Sequence, residues 1–306
     1  AGASTQISFI SPNAIADRYL LNLFDTNYYV YSHSYLCYGQ EQLRLVYQGF
    51  LVQQANGSTI VDDPCLQLNY NQTMNYNPIN STPCAIGKYV APVNFSSTIN
   101  VLFRGTGNYA QCQTLIRQRF DTTQCSSLSN CTFDDVYQPK PISSSLRLIA
   151  MSAFYTTFTT LAPSIPVSPD SEGNYQLNST NLMQIYATIQ MICNQPWSNL
   201  TNPESTYRPF LCFNSVYHWT LFDYIYSLND TNLQNFQIVR TINSTTIGWT
   251  LGYMINQTNF LDPEYRPSRL LTRAEFIGIL ICFLVLLVLS LILIIISICL
   301  CRRKNV

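Results

Sequence analysis

Few residues in this chain stand in patterns that could do chemistry. Two acidic pairs, Asp62-Asp63 and Asp134-Asp135, would suit a divalent cation or acid–base work. Asp62-Asp63 precedes Pro64, and Asp134-Asp135 sits in a polar stretch near Cys125 and Cys131, so turn formation is the stronger reading for both. His33-Ser34 pairs a base with a hydroxyl, but neighbours on a strand point to opposite faces. The opening AGASTQ places small residues before Ser4, Thr5 and Gln6, which could offer amides and hydroxyls to an anion, or form an ordinary polar turn. There is no G-x-S-x-G, P-loop, H-E-x-x-H or G-x-G-x-x-G. Cys37, Cys65, Cys84, Cys112, Cys125, Cys131, Cys193 and Cys212 form an even set suited to four disulfides. No Cys-x-x-Cys occurs and the chain has 2 His, which argues against zinc.

The elements that must position these residues begin at the far end of the chain. Residues 276–300 carry no charge, and at 1.5 Å per residue they reach about 37 Å, enough to cross a ~30 Å hydrocarbon core. A removable glycolipid-anchor signal fits less well, because Arg302, Arg303 and Lys304 follow. Arg266, Arg269 and Arg273 precede the segment, so basic residues alone do not orient it. Ten Asn-x-Ser/Thr sequons do: Asn56, Asn71, Asn80, Asn94, Asn130, Asn178, Asn199, Asn229, Asn243 and Asn256 all precede it. Glycosylation and disulfides together put the main domain outside the cell, with a short cytoplasmic C-terminus. Cys282, Cys299 and Cys301 are read as lipid-facing or palmitoylated. Zero net charge with 10% charged residues leaves no basic face for nucleic acid, and 47% apolar residues argue against disorder.

Upstream, strands alternate with helices, the mark of an α/β domain. Residues 4–10 and 28–35 read as strands. Residues 40–54 place Leu43, Val46, Tyr47, Phe50 and Leu51 on one helical face. Further helices are expected over 108–120, 146–161 and 212–228, and one through Leu182, Ile185, Tyr186, Ile189 and Ile192 with Ser179 or Thr180 as N-cap. Residues 235–242 read as a strand. Residues 56–100 read as a loop-rich, solvent-facing insertion stapled by Cys65 and Cys84. The expected divisions are 1–262 for the extracellular domain, 263–275 for a stalk, 276–300 for the membrane helix and 301–306 for the tail.

The motifs resemble, in order and spacing, those of the ecto-nucleoside triphosphate diphosphohydrolases, the ecto-apyrases. They are AGASTQISF (1–9), VYSHSYLCYG (30–39), DPC (63–65), TPC (82–84), GTGNYAQC (105–112), SAFY (152–155), CNQPW (193–197) and GWTLGYMINQTN (248–259). The resemblance implies one lobe of an actin/Hsp70-like, ribonuclease-H-like two-lobed fold, followed by the membrane helix. It implies hydrolysis of the terminal phosphates of extracellular nucleoside tri- and diphosphates such as ATP and ADP, with Ca²⁺ or Mg²⁺. Gly2, Ala3, Ser4, Thr5 and Gln6 match the family's second phosphate-binding loop. Ser152, Ala153 and Tyr155 match the helix bordering the nucleobase. Gly248 and Trp249 match a motif supporting the cleft, with plain core packing of Trp249 as the alternative. The implied bridges are Cys37–Cys84, Cys65–Cys112, Cys125–Cys131 and Cys193–Cys212.

The departures from the family pattern have consequences. Ala1 stands within an Asp-Leu-Gly-Gly run, so the metal-associated Asp, the first phosphate loop and the catalytic glutamate are expected upstream, and no catalytic or metal-binding residue is assigned in this chain. By motif, Glu41, Glu172, Glu204, Glu264 and Glu275 do not replace that glutamate. Gln40, Thr156 and Thr246 stand where relatives carry a basic, an aromatic and an acidic residue. Without its partner lobe the chain is expected to be inactive and to expose its cleft face; a homo-oligomer is compatible with the sequence. The alternative function is a non-catalytic cell-surface glycoprotein, a receptor or adhesion module.

Overall fold

A computed structural model describes residues 2–11, 16–85, 98–123, 130–140, 142–200, 208–228, 232, 234, 236–261 and 271–304, without the side chains of 179–181 and 299–304. It divides into two units, residues 1–259 and 260–306.

The first unit is a mixed α/β body. Strands β1 (Ser4–Ile10), β2 (Arg18–Leu23) and β3 (Thr26–Leu36) form an antiparallel sheet in the order β1-β3-β2. Its alternation sends Tyr31, His33 and Tyr35 to one face and Ser32 and Ser34 to the other. Helix α1 (Gln40–Gln54) follows, burying Leu43, Val46, Tyr47 and Leu51. Next come β4 (Ile60–Asp63), β5 (Asn71–Asn75), the short helix α2 (Asn77–Ser81) and β6 (Asn100–Gly105). Here β4 runs parallel to the central β6 and β5 antiparallel to it. Residues 56–85 and 98–100 therefore do not behave as a solvent-facing insertion: Val61, Leu66, Tyr76 and Ile79 are buried with Val101 and Phe103 of β6. Polar sequon residues on the outer strand faces disguise the apolar inner faces of this sheet. Cys65 bonds Cys112 and Cys84 bonds Cys37, tying the region to α3 (Tyr109–Arg117) and to the turn between β3 and α1. Asp63 lies on β4 rather than in a solvated turn, although its carboxylate also holds the chain entering Pro64-Cys65.

A third sheet holds β7 (Leu148–Ala150), β8 (Tyr175–Gln176) and β9 (Phe236–Ile238), with β7 parallel to the central β9. The single helix expected over 146–161 is thus a strand followed by α4 (Ala153–Leu161), because Ser152 takes φ 62° and breaks the path between them. Helices α5 (Ser179–Asn194) and α6 (Leu211–Thr220) complete the core. Helix α6 is buried nearly all round, packed by α1, α3, α4 and α5. It ends in a π-helical turn, Leu221–Ile225, not in the α-helix expected to residue 228. Likewise the expected strand 235–242 divides into β9 and β10 (Thr241–Ile242), which pairs with β11 (Thr245–Thr246) before α7 (Trp249–Gln257). A third disulfide, Cys193–Cys212, joins α5 to α6; the expected Cys125–Cys131 bridge involves a residue outside those described.

The second unit contains α8 (Arg273–Lys304), so Arg273, Ala274 and Glu275 of the expected stalk are helical. Its segment Arg273–Ile298 is long and apolar enough to cross a membrane, and none of it is buried in protein.

Candidate functional site

The segment Gly2–Gln6 is fixed from beneath. The first amides of an α-helix have no partner within it. In α1, Glu41 N and Gln42 N donate to Gly2 O at 3.1 and 3.0 Å, while Cys37 N and Gly39 N donate to Ala3 O at 2.9 and 3.3 Å. With the carbonyls held this way, strand alternation decides the side chains. Thr5 turns inward and its hydroxyl lies 3.4 Å from Tyr226 OH. Ser4 and Gln6 turn outward; Gln6 Nε2 donates to Ser4 Oγ and, at 3.2 Å, to Ser34 Oγ. Ser8 and Ser32 extend the row, their hydroxyls 2.7 Å apart. The outer face at this end is therefore a neutral, hydroxyl-rich strip of fixed donors.

His33 does not join Ser34. It faces away, with Nδ1 3.3 Å from Asp17 Oδ2 and its ring 4.5 Å from that of Tyr35. Asp134 accepts from Tyr38 OH at 2.7 Å, and both Asp134 and Asp135 take left-handed φ values, as turn residues do.

Helix α1 also reaches the second candidate segment. Thr157 Oγ1 of α4 lies 3.5 Å from Gln40 Oε1, one residue before the amides that hold Gly2. At the start of α4, Ser152 is strained, a conformation that persists only where surrounding structure enforces it. Ala153 and Tyr155 are half-buried, and Phe154 turns inward between His218 (4.2 Å) and Phe222 (5.1 Å). Burial drives the His218 pKa down to about 3, so this imidazole is neutral; its Nδ1 has no partner among the described residues.

Tyr155 OH donates to Gly173 O at 3.0 Å, at the apex of a turn that needs glycine at φ 80°. Asp170 closes this turn by accepting from Glu172 N and Asn174 N. The turn then clamps the β10–β11 hairpin: Asn174 Nδ2 donates to Thr241 O at 3.0 Å, and Ser244 N donates to Glu172 Oε1 at 3.1 Å. The hairpin leads to Gly248 and Trp249. Trp249 is 81% exposed and does not pack into the core of the described residues. Among the described residues it makes no ring or hydrogen-bond contact with Gly2–Gln6 or Tyr155.

The structure thus joins Gly2–Gln6 to Ser152–Tyr155 through the start of α1, and Tyr155 to the approach of Gly248 through residues 170–174. Sequence reasoning named Gln40 and Glu172 only for other reasons and passed over Asn174, because their roles depend on contacts across the chain. It also passed over the position of Glu41: a Cβ on Gly2 would lie 2.6 Å from Glu41 Oε2, so an exposed carboxylate borders the loop. The adjacency of Gly39 to a helix start was its available signal.

No group of three or more His, Cys, Asp or Glu among the described residues could cage a metal. Of the sequons, Asn56, Asn71, Asn178, Asn199 and Asn243 are exposed; Asn80, Asn130 and Asn256 are half-buried; Asn94 and Asn229 lie outside the described residues.

A model of the GDA1/CD39 (nucleoside phosphatase) family matches residues 1–268. Ectonucleoside triphosphate diphosphohydrolase 1 of Bos taurus is 29% identical over 294 residues, covering 94% of this chain and 54% of its own length. Ectonucleoside triphosphate diphosphohydrolase 8 of Homo sapiens is 30% identical over 288 residues (91% and 52%). Ectonucleoside triphosphate diphosphohydrolase 2 of Gallus gallus is 32% identical over 276 residues (87% and 52%). The chain spans about half the length of the curated relatives it matches. In fold it is similar to a nucleoside triphosphate hydrolase from Neospora caninum, with a TM-score of 0.55, 15% identity, and coverage of 85% of this chain and 56% of that one.

Proposed function

Because the chain belongs to the GDA1/CD39 (nucleoside phosphatase) family, we propose that it forms part of a membrane-anchored ecto-nucleotidase that removes terminal phosphates from extracellular nucleoside tri- and diphosphates. The chemistry is assigned to the whole protein, since the chain spans about half the length of its relatives. What carries the reading is the immobilised loop: four amides hold Gly2 O and Ala3 O, leaving Ser4 and Gln6 facing outward.

Phosphoryl transfer asks a protein mainly for positioning and charge stabilisation. In this reading Ser4 and Gln6 orient a phosphate oxygen or the attacking water. Ala3 and Thr5 supply backbone, with Thr5 pinned by Tyr226. Ser152, Ala153 and Tyr155 border the nucleobase, and Gly248 and Trp249 flank the cleft. The strip carries no positive charge of its own, so a divalent cation, Ca²⁺ or Mg²⁺, belongs with the nucleotide. The main domain faces outward, with Cys and sequon usage as the support, and the tail is cytoplasmic.

Phosphate release by the full-length protein tests this. Ser4→Ala and Gln6→Ala are expected to lower kcat by roughly 10²-fold, the scale of losing an oriented polar contact in the transition state. Tyr155→Ala should raise KM more than it lowers kcat, and the 306-residue chain alone should release no phosphate. Wild-type turnover in both Ser4→Ala and Gln6→Ala would sink the assignment of the loop.

A further inference from the structure

A pocket of about 730 Å³ opens where the last turns of α1 and α3 meet the π-helical turn Leu221–Ile225. It shares no residue with Gly2–Gln6 or Ser152–Tyr155. That volume lies in the range of small-molecule sites. Two guanidinium groups line it, from Arg117 and Arg119, and the Nε of each is buried without a hydrogen-bond partner. A buried donor left unmade is costly, and both side chains remain partly exposed, so the two forks keep donor valences for an acceptor.

The surroundings hold both arginines in place without filling those valences. Arg119 stacks on Phe50, its Cζ 3.8 Å from the ring centre. Arg117 lies 5.0 Å from the Tyr224 ring and donates to Asp223 Oδ2 at 3.1 Å. Asp121 also lines the pocket, and its Oδ1 accepts from Thr123 N and Thr123 Oγ1. Tyr224 is 40% exposed and is fixed by Thr122, the two hydroxyl oxygens 3.2 Å apart. Its presentation depends on the π turn, a form rare in helices and frequent at functional sites.

Guanidiniums select planar or tetrahedral oxyanions, and aromatic faces select flat rings. We propose that this pocket binds an aromatic phosphate monoester, of the nucleoside monophosphate class. The phosphate meets Arg117 and Arg119, and the ring meets Tyr224.

Calorimetric titration of the full chain with AMP, adenosine, benzoate and inorganic phosphate tests this directly. AMP is expected to bind more tightly than the other three. Arg119→Gln and Tyr224→Ala should each weaken AMP by about tenfold, the scale of one charge-assisted or stacking contact. Arg119→Lys keeps the stem on Phe50 and the charge but loses the fork, and should weaken AMP in a chain that still folds. Gly252→Ala, which has open space around it and lies in neither site, should leave this binding unchanged. Equal AMP affinity in wild type, Arg119→Lys and Tyr224→Ala would overturn the proposal. So would no AMP binding at millimolar ligand, or loss of binding in Ser4→Ala alone.

Discussion

Two buried ionisable side chains give opposite pH dependences. Asp63 accepts from Tyr47 OH at 2.7 Å and Cys65 N at 2.8 Å, yet burial outweighs these bonds and raises its pKa to about 6. A raised carboxyl binds its proton more tightly folded than unfolded, so stability falls as pH rises from about 4 to about 6. His218 is depressed to about 3 by burial, so the unfolded chain binds the extra proton and stability falls as pH drops below about 6.5. At about 1.4 kcal/mol per unit, the terms amount to roughly 3 and 5 kcal/mol at most, and they partly cancel between pH 4 and 6. Asp63→Asn keeps an acceptor for both donors and removes one term. Urea unfolding at several pH values should show the variant gaining stability more steeply than wild type across that window; parallel curves would refute it. The GTGNYAQC motif has an equally local explanation. A Cβ on Gly105 would lie 2.0 Å from Gln67 O, a backbone atom that cannot swing away, and Gly107 has φ 60°. Asn108 caps α3 by accepting from Gln111 N at 3.0 Å, and Cys112 carries a disulfide. Gly105→Ala should cost more than about 3 kcal/mol, while Gly252→Ala, on a helix with open space around it, should be neutral or gain up to about 1 kcal/mol. Thermal melts of the two variants check this contrast.

At the scale of elements, the β2–β3 hairpin shows what local chemistry conceals. Its two turn residues, Phe24 and Asp25, have φ 52° and 61°, between the paired residues Leu23 and Thr26. Two-residue hairpins take this twist, but Asn-Gly is the usual sequence and a bulky aromatic at positive φ is strained. Replacing Phe24 by Asn and Asp25 by Gly should stabilise the protein by about 1–2 kcal/mol, read as a raised urea midpoint at unchanged slope. The same disguise made β2 illegible, whereas β1 and α1 were plain because a clean period runs through Ser4–Ile10 and Gln40–Gln54. Short strands suffered most. Leu148–Ala150 is three residues long, so its apolar run merged with that of α4, and only pairing with β9 reveals it. In the candidate site, the resemblance named Gly2–Gln6 and Tyr155, yet what holds them was not legible. The bonds from Glu41 and Gln42 to Gly2, and from Tyr155 to Gly173, join residues whose side-chain types predict no such pairing.

For the whole molecule, disulfides and the apolar helix bear on the same question of which side of a membrane holds the body. Bridges with separations of 47, 47 and 19 residues should each contribute about 3–4 kcal/mol by restricting the unfolded chain. Together that is about 10 kcal/mol, comparable with the entire stability of an ordinary domain. A body placed in a reducing compartment would lose this contribution and should not stay folded. Residues Arg273–Ile298 at 1.5 Å each give about 39 Å, sufficient to span a ~30 Å core with tilt. Since the ten sequons and the three bridges among the described residues all precede that helix, one orientation satisfies both chemistries and the reverse satisfies neither. In cells carrying an epitope after Val306, external protease should degrade the body while the epitope stays protected until permeabilisation, and glycosidase should shift the mobility of the intact chain. An epitope reachable on sealed cells, with a body that glycosidase leaves unshifted, would reverse the orientation and remove the chain from the extracellular nucleotide pool on which the proposed function depends.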